Sequence, residues 1–160
     1  MLRLLVTLTA VGALLGAPAA AAAPSPAPGF RLGTLAIARL GLETDVIQGT
    51  GARELARGVG HYRISALPGQ RRTVAIAGHR TTHARPFARL DHLRRGDRVV
   101  LTLWQGRRYV YEVTGGRIVA FNDWSILANK GYDKLVLTTC HPPGSATQRL
   151  AVFARLRVSR

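Results

Sequence analysis

The sequence predicts a single, mainly β domain closed into a small barrel, and three observations carry that prediction. Its 160 residues suffice for one core and are too few for two comfortable ones. With 47% hydrophobic and 19% charged residues, the composition is that of a folded chain. Apolar runs of strand length follow one another at short intervals, punctuated by glycine and turn residues, with little that reads as helix.

Taken in order, the runs begin at 35–40, closed by Gly41, and 44–48, ended by Gly49-Thr50-Gly51. Residues 54–57 have the length of one helical turn. Residues 73–77 form a buried strand stopped by Gly78. Residues 86–93 place Phe87, Leu90 and Leu93 at helical spacing, with Pro86 at a tolerated first-turn position, and predict a short helix. Strands over 98–103 and 107–114 face each other across Trp104-Gln105-Gly106 as a hairpin. Runs at 117–121, 135–139 and 150–156 complete the set. Seven or eight short strands with one or two short helices favour a closed barrel, which leaves no sheet edge exposed. The chain shows no internal repeat and no second domain.

The N-terminus predicts export. Met1-Leu2-Arg3 supplies a minimal cationic start, residues 4–15 are apolar but for Thr7, Thr9 and Gly12, and residues 17–23 carry small residues of the A-x-A type. Residues 1–23 therefore read as a signal peptide cut after Ala21 or Ala22, or as an uncleaved anchor of the ~20 residues a span needs. Residues 24–30 read as a Pro-rich linker, and 31–160 as the domain, extracytoplasmic in either case and membrane-anchored or secreted. Charge agrees: 23 Lys+Arg oppose 8 Asp+Glu, and the doublets Arg71-Arg72, Arg94-Arg95 and Arg107-Arg108 lie within the patterned region. Such a surface suits nucleic acid, anionic lipid or an anionic wall polymer. Export sets nucleic acid aside.

Export also makes the cysteine count informative. Exported proteins use cysteine mostly in disulfide pairs, whereas Cys140 is alone. It is either a small buried hydrophobe or a reactive thiol. Cys140 ends the run 135–139 immediately before His141-Pro142-Pro143-Gly144, where a sheet can hold a nucleophile rigidly and still face it to a cleft. An unperturbed thiol, with a pKa around 8.5, needs a basic partner. His79 follows a buried run and Gly78, so it too sits at a strand's end, and His83 in the following loop is the second choice. His141 adjoins Cys140 but points the other way on an extended chain, so it reads as structural. His92 reads as a solvated surface residue, and His61 as packing against the barrel. Arg149 opens the run after the Cys140 turn, so a hairpin returns it beside Cys140, where a guanidinium could stabilise a thiolate or an oxyanion.

Val136-Leu137-Thr138-Thr139-Cys140, with Arg149-Leu150 after it and Ala77-Gly78-His79-Arg80 before it, resembles the sortases, cell-surface cysteine transpeptidases of Gram-positive bacteria. The family signature T-L-x-T-C, a following Arg and an upstream His are matched at Leu137, Thr139, Cys140, Arg149 and His79; Val136 stands where Thr is common. Gly60-His61-Tyr62, Leu67-Pro68-Gly69-Gln70, Pro86-Phe87-Ala88-Arg89-Leu90-Asp91 and Gly96-Asp97 look most like the class E branch of actinobacteria. The near-exclusive use of Arg over Lys fits a high-GC genome of that kind. The resemblance implies an eight-stranded barrel and a secreted protein substrate with a C-terminal L-P-x-T-G-like or L-A-x-T-G-like sorting signal. It further implies Cys140 as nucleophile, His79 as acid and base, Arg149 as holder of substrate and oxyanion, and Thr139 as a contact to the substrate or to Arg149. The acceptor implied is the amine of a cell-wall precursor peptide.

No metal or cofactor is expected, since the few carboxylates are not clustered at metal-ligand spacing. Other wall-active cysteine enzymes fit less well. The S-H-G-C-R signature of L,D-transpeptidases is absent, and papain-like enzymes open with the cysteine on a helix. A non-catalytic basic barrel binding wall polymer or lipid is the rival of a different class.

Overall fold

The computed structural model describes residues 25–159; the apolar run 4–23 and Pro24 lie outside them. Among the described residues no helix is long and apolar enough to cross a membrane. Eight strands, β1 (Arg31–Ile37), β2 (Leu42–Gln48), β3 (Val59–His61), β4 (Thr73–Ala77), β5 (Arg98–Leu103), β6 (Arg108–Ala120), β7 (Lys134–His141) and β8 (Gln148–Ser159), close into one barrel. Their order around it is β1-β2-β3-β4-β7-β8-β6-β5, with β5 returning to β1. Two neighbouring pairs run parallel, β2 with β3 and β4 with β7; the others are antiparallel. One helix, α1 (Ala52–Arg57), fills the crossover between β2 and β3.

The core follows from strand alternation. On β7, Leu135 and Leu137 point into the barrel with Leu35, Ile37, Val99 and Tyr111, all fully buried. Val136 points outward, yet it is buried too, because a 3₁₀ turn (Trp124–Leu127) covers that face together with Ala75 and Ala151. Lys134 Nζ pins the turn by donating to the Ile126 carbonyl at 2.7 Å. Burial on both faces is why this strand reads as an unbroken apolar run.

The strand count agrees with the sequence reading, but two differences lie beneath it. The runs 107–114 and 117–121 are one strand, β6; Gly115, at φ 144°, absorbs a register shift as a bulge instead of breaking the strand. β3 was not expected, since Val59-Gly60-His61 is too short and too glycine-rich to read as a strand. Gly60 is required there, because a Cβ would come within 2.3 Å of the Gly49 carbonyl oxygen. The helix expected over 86–93 is instead a series of turns ending in one 3₁₀ turn (Leu90–His92). Its bonds run from residue i+3 to i, as from Leu90 N to Phe87 O and from Leu93 N to Leu90 O. The segment is too short to nucleate an α-helix, and Phe87 and Leu90 are held by the core instead.

Residues 25–30 lie against the end of β2. Gly29 N donates to Gln48 O and Gln48 N to Phe30 O, each at 2.8 Å. The buried Gln48 side chain extends the attachment, donating from Nε2 to Ser25 Oγ at 2.8 Å. On its other side the same amide meets Nδ1 of His61 at 2.7 Å, and His61 Nε2 lies 2.9 Å from the Ala66 carbonyl. His61 is therefore the structural histidine the sequence implied. Burial pushes its imidazole below the ordinary value of 6.5, with the Ala66 bond opposing weakly.

That direction sets a pH dependence. In the unfolded chain His61 takes up a proton as pH falls through about 6.5, while the folded protein resists, so stability present above that pH is lost below it. We expect the melting temperature to fall between pH 7 and pH 5. His61→Gln should be less stable at pH 7 but lose less on acidification; parallel curves for the two proteins would assign the loss to other groups.

Candidate active site

The parallel pairing of β4 and β7 ends both strands on the same rim. Ala77 lies opposite Thr138, and the ladder continues one step beyond β4 as Gly78 N donates to Thr138 O at 3.0 Å. The next residue, His79, therefore emerges beside Cys140. β8 runs back antiparallel from the same rim, with Arg149 directly opposite Cys140. His79, Thr139, Cys140 and Arg149 line one cleft of about 240 Å³, with Thr50, Leu55, Tyr62, Ala77, Gly78 and Thr138 completing its walls.

Each side chain is held differently. Cys140 is a half-buried free thiol. His79 is half-buried; its Nε2 is shielded from solvent and has no hydrogen-bond partner. Burial, and then the charge of His83, hold its imidazole below the ordinary histidine value. Gly78 lets the ring of buried Phe87 sit over the chain just before it, since a Cβ would come within 2.5 Å of that ring. Phe87 N closes the loop by donating to His79 O at 3.0 Å. Thr139 is buried, and its hydroxyl donates to Gly78 O at 2.7 Å, tying the residue before the cysteine to the residue before the histidine. The Arg149 guanidinium folds over its own turn, Nη1 donating to the carbonyls of Ala146 at 2.8 Å and Gln148 at 2.9 Å.

The remaining histidines separate clearly. His92 is exposed, and His61 is enclosed in the Gln48 network. His141, next to Cys140 on β7, has its Nδ1 taken up by a bond from Arg80 Nη1 at 3.0 Å. His83 stacks on His79, ring centroids 4.8 Å apart and tilted by 36°. Among the described residues no three His, Cys, Asp or Glu side chains gather as a metal-binding group.

Two contributors escaped the sequence reading. Arg80 is 6% exposed in a chain whose arginines are mostly at the surface. Its guanidinium donates to the Cys140 carbonyl at 3.3 Å and to His141, and pairs with Asp91 at 3.1 Å, so it joins the His79 loop, the end of β7 and the turn at 90–92. Among so many arginines nothing local marks it; its place directly after His79 was the available signal. Tyr62, whose hydroxyl lies 3.0 Å from Thr138 Oγ1, stacks edge-on with Trp124 and forms the wall opposite Arg149's strand.

Comparison with known proteins is consistent along the chain. The sortase-domain family model matches residues 35–157. Sortase D of Bacillus subtilis (strain 168) is 33% identical over 134 residues, covering 81% of this chain and 66% of that protein's length. Among solved structures, sortase E from Streptomyces avermitilis superposes with a TM-score of 0.74 at 34% identity, covering 84% of this chain and 93% of that one. A sortase from Actinomyces oris superposes with a TM-score of 0.78 at 26% identity, covering 86% and 85%.

Arg80 generates a stability prediction independent of chemistry. Arg80→Ala removes a buried cation with three partners and should cost about 2–4 kcal/mol in urea denaturation. Arg72→Ala, at an exposed position, should stay within about 0.5 kcal/mol of the parent. Equal costs for the two would mean the Arg80 contacts contribute no more than surface ones.

Proposed function

Because this chain belongs to the sortase family, we propose that it is a cysteine transpeptidase acting outside the cytoplasm, of the class E kind. Its substrate is a secreted protein ending in an L-P-x-T-G-like or L-A-x-T-G-like signal, cut between Thr and Gly, and its acceptor is the amine of a cell-wall precursor peptide. The observation that supports this best is the convergence of Cys140, His79 and Arg149, from three separate segments, on one cleft. The apolar run 4–23 and the excess of 23 cations over 8 acids support a place at an anionic surface, anchored or released.

In this reading the Cys140 thiolate attacks the Thr carbonyl carbon, and the carbonyl electrons move onto oxygen. Arg149 meets that oxyanion. A guanidinium has five N–H donors; the bonds to Ala146 and Gln148 occupy Nη1 and brace the group, leaving Nε and Nη2 free to donate. Collapse breaks the C–N bond, and His79 gives its proton to the departing glycine amine, leaving a thioacyl-enzyme. The acceptor amine then attacks the thioester and passes a proton to neutral His79, and Cys140 leaves as thiolate. A His79 held below its ordinary pKa releases its proton readily in the first half and returns to its starting state in the second. Thr139, which also lines the cleft, ties the cysteine to the histidine by fixing Gly78.

The test is cleavage and amine-dependent ligation of sorting-signal peptides by the purified chain, with mass spectrometry for a Cys140 adduct. Cys140→Ala should abolish both reactions, and His79→Ala should nearly do so. Arg149→Lys keeps a charge but loses the planar fork, and should slow turnover roughly 10²–10³-fold, the scale of one lost oxyanion donor. His92→Ala, at an exposed position away from the cleft, is the control. A thiol inert to every peptide, with Cys140→Ala leaving cell-surface function intact, would sink the enzymatic reading and favour a binding module.

A further inference from the structure

We propose that His83 is a positioning residue for His79: its ring fixes the plane of the His79 imidazole and sets a second ionisable group against it. The inference rests on His79 being the proton carrier, and it concerns what governs that carrier.

The first observation is contact. The two rings lie 4.8 Å apart and are tilted by 36°, within the range of packed aromatic pairs. His79 Nε2 has no hydrogen-bond partner. Among the described residues no carboxylate is bonded to the ring, the device by which many catalytic histidines are held, and His83 supplies orientation by packing.

The second observation is the backbone. His83 and Arg85 both stand in the left-handed region, at φ 52° and 48°, where residues with a Cβ are uncommon. Arg85 N donates to Thr82 O, Ala88 N to Arg85 O, and Phe87 N to His79 O, so tight turns anchored on buried Phe87 hold the loop in this shape. The side chain that this backbone shape delivers to His79 is His83.

The third is the set of charges around His79. Cys140 from β7, Arg149 from β8 and Tyr62 beyond β3 line the same cleft. Adjacent Arg80 directs its guanidinium away, toward the Cys140 carbonyl, His141 and Asp91. The ring packed on the imidazole is that of His83, whose charge opposes a proton on His79.

The test separates charge from packing in the full-length chain. His83→Phe keeps a flat ring and removes the ionisable group; His83→Ala removes both. The midpoint of His79 is followed by the NMR titration of its ring proton, with thermal melts confirming that each variant is folded. We expect the His79 midpoint to rise in His83→Phe, with the matching limb of the peptide-cleavage pH profile moving the same way. His83→Ala should also lower kcat about threefold relative to His83→Phe with KM unchanged, the signature of a misplaced catalytic group. An identical His79 midpoint in the parent and His83→Phe would overturn the electrostatic half, and equal kcat in the two variants the positioning half. The titration needs no substrate, so it stands even if the sorting peptides prove to be the wrong ones.

Discussion

The parallel pairing of β4 with β7 is the constraint on which the rest of the molecule depends. Parallel neighbours end at the same rim, so whatever follows β4 is delivered beside whatever ends β7. Parallel strands cannot be joined by a hairpin, and the chain spends the whole of residues 78–133 on the crossover. That crossover includes β5, β6, the loop carrying His79 and His83, and the turn carrying Trp124. The antiparallel return of β8 then completes the cleft, because strict register places Arg149 across from Cys140. A shift of one residue in either pairing would turn these side chains to the opposite face of the sheet.

The charge composition shapes how loops are held. With eight carboxylates available to 23 cations, most guanidiniums cannot find an acidic partner. Several bond main-chain carbonyls: Arg39 to His92 and Arg80 to Cys140 in addition to an aspartate each, and Arg57 to Gly29, Arg89 to Leu40, and Arg149 to Ala146 and Gln148. A guanidinium carries five donors in a fixed fork and no acceptor, which suits the unpaired carbonyls of loops. Asp91 is spent on Arg80, which is buried next to His79. The unpaired surplus remains on the surface and leaves it strongly cationic.

Histidine shows how environment divides one residue type. His61 is buried in a closed hydrogen-bond network and belongs to the architecture, holding residues 25–30 through Gln48. His79 lines the cleft with the free thiol of Cys140, and its Nε2 is shielded and without a hydrogen-bond partner. His141 is engaged by Arg80, and His92 is left in solvent. A shielded polar atom left unpaired is costly in a purely structural role.

What the sequence determined by itself was local or spaced by a strand ladder. Alternation and glycine punctuation set β4 and β5 to the residue, and the short turn after Cys140 was enough to bring Arg149 back to it. The lone cysteine and the histidine after Gly78 were legible because each follows an apolar run. Only the tertiary structure decided the fusion of two runs into β6 and the pairing of β3, since a bulge and a three-residue strand are settled by the partner strand and not by propensity. The same holds for the burial of Arg80, the stacking of His83 on His79 and the turning of the Arg149 guanidinium onto its own loop. Those depend on what the folded chain brings within a few ångströms across dozens of residues, and side-chain identity at one position carries no record of that neighbour.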